Sequence, residues 1–258
     1  MVKLPWYTEG PVMDRDGSIF FTTLKGKLIL KIDSTGKISE WAKAENPNGQ
    51  IILPSGDHLI CDNGVPGISR YDSEGNLKGY DIKNKCSGEE VSSPNDLVMD
   101  TEGGIYFTDS VREKGKVCYY KPGGTEKIIA RDLDFPNGIA ISNNGSTLLV
   151  AESYKNRILS FDIHAGFKKG IFADLPVHPS GEIIKNLPDG IKVDNEGNLW
   201  VAHYGMSCVQ VLSPKGKVIN SIPVDFPLTS NLFLAENNLI VTGGFDEPGP
   251  GGLLQVSI

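Results

Sequence analysis

The chain has 258 residues, of which 39% are hydrophobic and 22% charged, and it carries a formal net charge of -7. This is the composition of an ordinary globular protein, and its acidic balance offers no attraction to a nucleic-acid backbone or an anionic membrane surface. No apolar run reaches the length of a signal-peptide core or a membrane span, so a cytoplasmic location is expected.

The 30 glycines and 16 prolines are scattered singly, often beside Asp, Asn or Ser, as tight turns between short strands require. Long helical periodicity is absent. After a short apolar stretch at Val2 to Leu4 comes a module: a polar residue, a brief apolar run, a turn ending in Gly, and a second apolar run. Copies begin at Glu9, Asn48, Asn95, Asn137 and Asp189, and a worn copy without the glycine begins at Asn231. Each is followed by a further strand pair, such as Gly26 to Ile32 with Ile38 to Trp41, or Cys208 to Leu212 with Val218 to Ile222.

Four short strands in each unit of roughly 40 to 50 residues is the arithmetic of a propeller blade. Six units use the whole chain, so residues 1–258 are expected to form one all-β domain, a six-bladed β-propeller. The last unit is a strand short, because Leu239 to Thr242 is followed only by Gly252 to Ile258. Val2 to Leu4 is the expected donor of the outermost strand that closes the ring.

Glycines 17, 56, 103, 145 and 197 each end a turn and are expected in left-handed conformations. The related stretches Asp14-Arg-Asp-Gly, Asp72-Ser-Glu-Gly and Asp194-Asn-Glu-Gly lack the spacing and terminal Glu of an EF-hand, so they read as hairpin turns. Cys61, Cys86, Cys118 and Cys208 form no Cys-x-x-Cys pair and read as buried free thiols, with structural zinc or disulfides as the alternative.

The turn glycines also fix a register. Glu9, Asn48, Asn95, Asn137 and Asp189 each lie eight residues before one of them. All therefore hold one structural position, just ahead of the first and innermost strand of a blade, at one mouth of the central channel. Glu9, Asn95, Asn137 and Asp189 would place two carboxylates and two amides on the axis. Such a pair of carboxylates is costly to bury unless a divalent cation joins them. The all-oxygen donor set suits Ca2+, with Mn2+ or Mg2+ fitting less well, and disfavours zinc. Any single Asn-Gly or Asp-Gly pair reads equally well as a turn former; Glu9 does not. Asn48, and Ser230 or Asn231 of the last blade, would line the mouth without reaching the ion. Asp109 and His203, each ending the second strand of a blade, are candidate substrate contacts together with Asn48 and Asn95.

The stretches Thr8-Glu9-Gly10-Pro11, Ser93-Pro94-Asn95-Asp96-Leu97, Pro136-Asn137-Gly138-Ile139 and Pro188-Asp189-Gly190-Ile191 resemble the senescence marker protein-30, gluconolactonase and diisopropyl-fluorophosphatase group of calcium-dependent hydrolases. Tyr106-Phe107-Thr108-Asp109 and Leu199-Trp200-Val201-Ala202 are similar as well. The resemblance runs from Glu9 to about Thr242. It implies a catalytic calcium held by Glu9, Asn137 and Asp189, with Asn95 as ligand or substrate contact, and a proton-transfer role for Asp189. It implies small-molecule substrates: sugar lactones, other lactones or organophosphates. Two departures stand out. Little precedes Glu9, and Ser93 stands where some sugar-lactonase relatives have arginine. The Pro-containing insertion Val177 to Asn186 is expected to shape the pocket.

The expected reaction is metal-assisted opening of a lactone by water, with Asp189 as base. A phosphotriesterase using the same site, or a non-catalytic propeller that binds another protein, are the competing readings. Oligomeric state is open.

Overall fold

The structure is a computed structural model describing residues 1–258. It contains twenty-six strands, two short 3-10 turns and no α-helix, so nothing in it is a helix long and apolar enough to cross a membrane. The strands form six antiparallel sheets in which sequential strands are neighbours, the order of a propeller blade built from the axis outward. The innermost strands are Thr8–Met13, Pro47–Ile52, Pro94–Met99, Pro136–Ile141, Leu187–Val193 and Leu228–Ala235, here called the inner strands of blades 1 to 6.

Successive residues of a strand point to opposite faces, and here each face finds a different neighbour. Ile29 of blade 1 packs against Ile60 and Tyr71 of blade 2, while Leu30 packs against Ile240 and Leu253 of blade 6. Ile158 of blade 4 turns to Ile191 and Val201 of blade 5, whereas Leu159 turns to Tyr106 of blade 3. The core is thus six apolar clusters, one in each interface between blades. The four cysteines are buried and unpaired, with Cys61, Cys86 and Cys118 together in the cluster between blades 2 and 3.

The ring closes as expected. Val2–Leu4 pairs antiparallel with Gly251–Ser257, in the register Val2 to Leu253 and Leu4 to Gly251, and becomes the outermost strand of blade 6. Thr8 secures the seam: its hydroxyl donates to the Gly252 carbonyl and accepts the Gly243 N–H at 3.1 Å. Blade 2 departs from the expected four strands. A hairpin of Lys85–Cys86 and Glu89–Glu90 extends its outer edge, too brief to leave an apolar period in the sequence.

The turn glycines 17, 56, 103, 145 and 197 have φ between +69° and +88°, the left-handed values expected of them. The aspartates that open these turns are bound internally. Asp72 Oδ1 accepts the N–H groups of Glu74 and Asn76, and Asp194 Oδ1 those of Glu196 and Asn198. They are hairpin turns whose carboxylates are occupied by backbone, not cation loops.

Deleting residues 1–4 removes three paired positions at the closure. At about 1 kcal/mol per hydrogen bond, it should destabilise the protein by about 2–3 kcal/mol, read as a lower denaturant midpoint. An unchanged midpoint would show that blade 6 closes without this strand.

Candidate active site and metal centre

The six inner strands share one irregularity. In each, the pairing with the second strand slips beside the residue that the repeat brings to the axis: after Glu9, Pro47, Pro94, Pro136 and Pro188, and between Thr229 and Asn231. A bulge at that point re-aims a side chain away from the pleat. Glu9, Asn48, Asn95, Asn137 and Asp189 consequently line one cavity of about 440 Å³. All five are buried. In blade 6 the equivalent place belongs to Ser230, whose hydroxyl is committed to the Thr8 carbonyl at 2.7 Å.

The residue following each of these positions explains why so many are followed by glycine. A Cβ on Gly138 would lie 2.3 Å from the Asp189 carbonyl oxygen, and one on Gly10 would lie 2.6 Å from that of Asn48. Neighbouring inner strands approach too closely here for a side chain. The Asn-Gly and Asp-Gly pairs are therefore strand residues at a close crossing, and the turn reading of them does not hold. Hydroxyls from one blade tie the next at the same level: Thr22 donates to the Asn48 carbonyl at 2.8 Å, Thr108 to that of Asn137 at 2.7 Å, and Ser153 to that of Pro188 at 2.7 Å.

Electrostatically the cavity is an anion cage. Burial pushes Glu9 up to about 8, assisted by Asp96 and Glu247 and opposed by its hydrogen bonds to Gly10 and Asn231. Burial, then Glu9, Glu247 and Asp96, hold Asp189 well above the usual carboxylate range, and a hydrogen bond with Asn137 offsets part of this. Tyr7 is raised for the same reasons, burial first and then Asp189 and Glu9. The amide oxygens Asn48 Oδ1 and Asn137 Oδ1 are buried and accept no hydrogen bond. Buried acceptors without donors, beside carboxylates raised by burial and neighbouring charge, form a donor set suited to a positive partner. Hard oxygen donors of this kind fit calcium. No group of three His, Cys, Asp or Glu side chains is arranged to hold a metal by itself, so an ion here would depend on the amide oxygens as well.

Asp109 and His203, expected as substrate contacts, stand behind the cavity wall and do not line it. Asp109 Oδ1 accepts the N–H groups of Ser92 at 3.0 Å and Ser93 at 2.6 Å, the two residues that lead into Pro94 and Asn95. Asp62 does the same for Glu45 and Asn46, and Glu152 for Asp134. His203, opposite Pro188, holds the corresponding register; its Nε2 meets Asn156 Oδ1 at 3.0 Å, and burial lowers it to about 4, leaving it neutral. These residues fix the loops that carry the cavity residues.

Several lining residues escape the repeat. Tyr7, Tyr204 and Glu247 form one side of the mouth, where the Tyr204 hydroxyl donates to Glu247 Oε1 at 2.9 Å. Phe135, Tyr154, Leu187 and Ile184 supply an apolar side, Ile184 coming from the insertion 177–186. The Arg112 guanidinium lies 3.5 Å from the Tyr154 ring centroid and pairs with Asp134, so it braces the mouth. Tyr7, Phe135 and Leu187 each stand two residues before a cavity residue of the repeat, but their residue types differ from blade to blade and carried no common signal, whereas Ile184 and Glu247 lie on segments outside it. Ser93 also faces the cavity.

The raised carboxylates have a consequence for stability without a cation. A carboxyl whose folded pKa exceeds its unfolded one stabilises the fold below the unfolded pKa, and this is lost as pH rises through the folded pKa. For Glu9 the loss extends up to about 8. His58 and His203, both lowered to about 4 by burial, act oppositely, but only below the ordinary histidine range. In chelator the melting temperature should therefore fall from pH 6.5 to 8, with Glu9→Gln flattening the fall and calcium raising the curve most at pH 8. A chelated protein that gains stability over this interval would contradict the assignment.

Comparison with known proteins agrees with this architecture. The family model described as the SMP-30/gluconolactonase/LRE-like region matches residues 7–243. A protein named lactonase drp35 from Staphylococcus haemolyticus is 30% identical over 230 residues, covering 83% of this chain and 68% of its own. Diisopropyl-fluorophosphatase from Loligo vulgaris is 28% identical over 244 residues, covering 81% and 75%. Among solved structures, a gluconolactonase from Xanthomonas campestris superposes with a TM-score of 0.83 at 25% identity, over 98% of this chain and 87% of that one. The calcium-binding protein regucalcin from Agrobacterium tumefaciens shares the fold, with a TM-score of 0.78 at 19% identity, over 99% and 91%. Fold, register and family model agree, and the chain belongs to the SMP-30/gluconolactonase/LRE-like family.

Proposed function

We propose that the chain is a calcium-dependent hydrolase that opens lactones. The observation that carries the reading is the convergence of Glu9, Asn95, Asn137 and Asp189 on one buried cavity, with Asn137 Oδ1, and Asn48 Oδ1 beside them, free of hydrogen bonds. The 30% identical lactonase supports the reaction class. Glu9, Asn137 and Asp189, with Asn95 as a further oxygen donor, would hold the calcium, which would supply positive charge to polarise the lactone carbonyl.

The chain's own residues do the rest. Asp189 accepts a proton from the attacking water at a carboxylate oxygen, and the water oxygen bonds to the carbonyl carbon. The ring C–O bond then breaks, and the proton held on Asp189 passes to the departing alkoxide, giving a hydroxy acid. Asn48 and Asn95 present amides to the substrate, and the wall of Phe135, Tyr154 and Leu187 limits water. The four buried, unpaired thiols suit a reducing compartment, and the cytoplasm is our reading of its location.

Asp189→Asn keeps the size of the side chain and removes the base. It should lower kcat for lactone hydrolysis by about 10²–10⁴-fold, and chelation should abolish turnover until calcium is restored. Wild-type turnover in Asp189→Asn would refute the role given to this residue. A phosphotriester substrate is the second reading, favoured by the likeness to diisopropyl-fluorophosphatase. Comparing kcat/KM for a lactone panel and a phosphotriester decides between them.

A further inference from the structure

Asp96 follows Asn95 on the inner strand of blade 3, one residue deeper into the channel. In four of the other blades the same position is glycine: Gly10, Gly49, Gly138 and Gly190. Asp96 is therefore a third carboxylate placed directly beneath the cavity residues, and it adds to the unfavourable field on both Glu9 and Asp189. Its side chain is 2% exposed. Oδ1 accepts the Leu97 N–H at 2.9 Å, whereas Oδ2 is buried with no hydrogen-bond donor.

One positive group reaches it. Lys192 lies three residues beyond Asp189 on the inner strand of blade 5, about 10 Å further along the channel at the rise of a strand. Its ammonium stands 3.5 Å from Asp96 Oδ2, across from blade 5 to blade 3. The contact is electrostatic, since the oxygen receives no well-formed hydrogen bond. Lys192 is 27% exposed, so its stem leads from the wetter part of the channel to the buried carboxylate.

We propose that Lys192 acts as a tethered cation of the channel, neutralising Asp96 so that the channel takes one divalent ion and not two. This rests on the metal reading above. With Glu247 at the mouth engaged by the Tyr204 hydroxyl, the three inner carboxylates, Glu9, Asp96 and Asp189, face one divalent ion and one ammonium. Without the ammonium, Asp96 Oδ2 would be a buried, uncompensated oxygen donor one residue deeper. Lys192 touches neither substrate nor reacting atoms in this scheme and is a positioning residue for the ion.

The test is the number of calcium ions bound per chain, measured by equilibrium dialysis with elemental analysis and by native mass spectrometry. The wild type should bind one and Lys192→Met two, with Lys192→Arg and the double variant Lys192→Met/Asp96→Asn returning to one. Lys192→Gln serves the same purpose should Lys192→Met fail to fold. Two ions in the wild type, or one in both the wild type and Lys192→Met, overturn the inference and leave the metal reading intact. No ion in any of them overturns both.

Discussion

An antiparallel sheet with two apolar faces needs cover on both sides, and here each blade finds it only in its neighbours. The six interface clusters are the whole core, so no blade is stable outside the ring. Closing six blades round an axis forces their inner strands together at the mouth. That approach removes the side chain after most site residues, as at Gly10 and Gly138. It also lets Thr22, Thr108, Ser153 and Ser230 tie the inner strands of blades 2, 4, 5 and 1 to the preceding blade. The positions of Glu9, Asn95, Asn137 and Asp189 are thus set by ring closure, and a weakness at the seam with Val2–Leu4 is a weakness of the site.

The same closure creates the electrostatic problem. Glu9 and Asp189 come from blades far apart in sequence and meet in a place from which water is largely excluded. Burial raises both, Glu9 raises Asp189 further, and Asp96 and Glu247 add to both. Replacing such groups by apolar residues would commonly stabilise a fold. Their presence, with unpartnered amide oxygens beside them, is intelligible as a donor set for a cation that offsets the repulsion. Under the proposed function, activity and stability would be coupled through one charge, since an ion that polarised the carbonyl would also relieve the buried carboxylates.

How much of this was legible in the sequence follows from periodicity. The blades, the turn glycines and the five converging cavity residues recur, so one spacing located them together. The closing strand was legible by subtraction, because the last unit lacked one. The outer hairpin at Lys85–Cys86 and Glu89–Glu90 was not, since two-residue strands carry no pattern. Tyr7 and Tyr204 stand at repeat positions but their residue type is not repeated, and Glu247 and Ile184 lie on segments outside the repeat, so only three-dimensional placement brings them to the mouth.

Asp109 and His203 show that a register can be read correctly and its chemistry assigned to the wrong layer. Counting six residues past the turn glycine leads to Thr23, Asp62, Asp109 and His203, with Glu152 one residue later in blade 4. These positions end the second strand, opposite the start of the inner one. Their side chains turn away from the cavity, whereas the residues that follow Asp62 and His203, Asn63 and Tyr204, line it. The carboxylates of Asp62, Asp109 and Glu152 instead take backbone N–H groups ahead of the inner strand, Thr23 bonds Leu28 within its own hairpin, and His203 meets the Asn156 amide. The repeat therefore builds two concentric polar layers. The inner layer faces the channel; the outer one fixes the loops from which the inner layer projects.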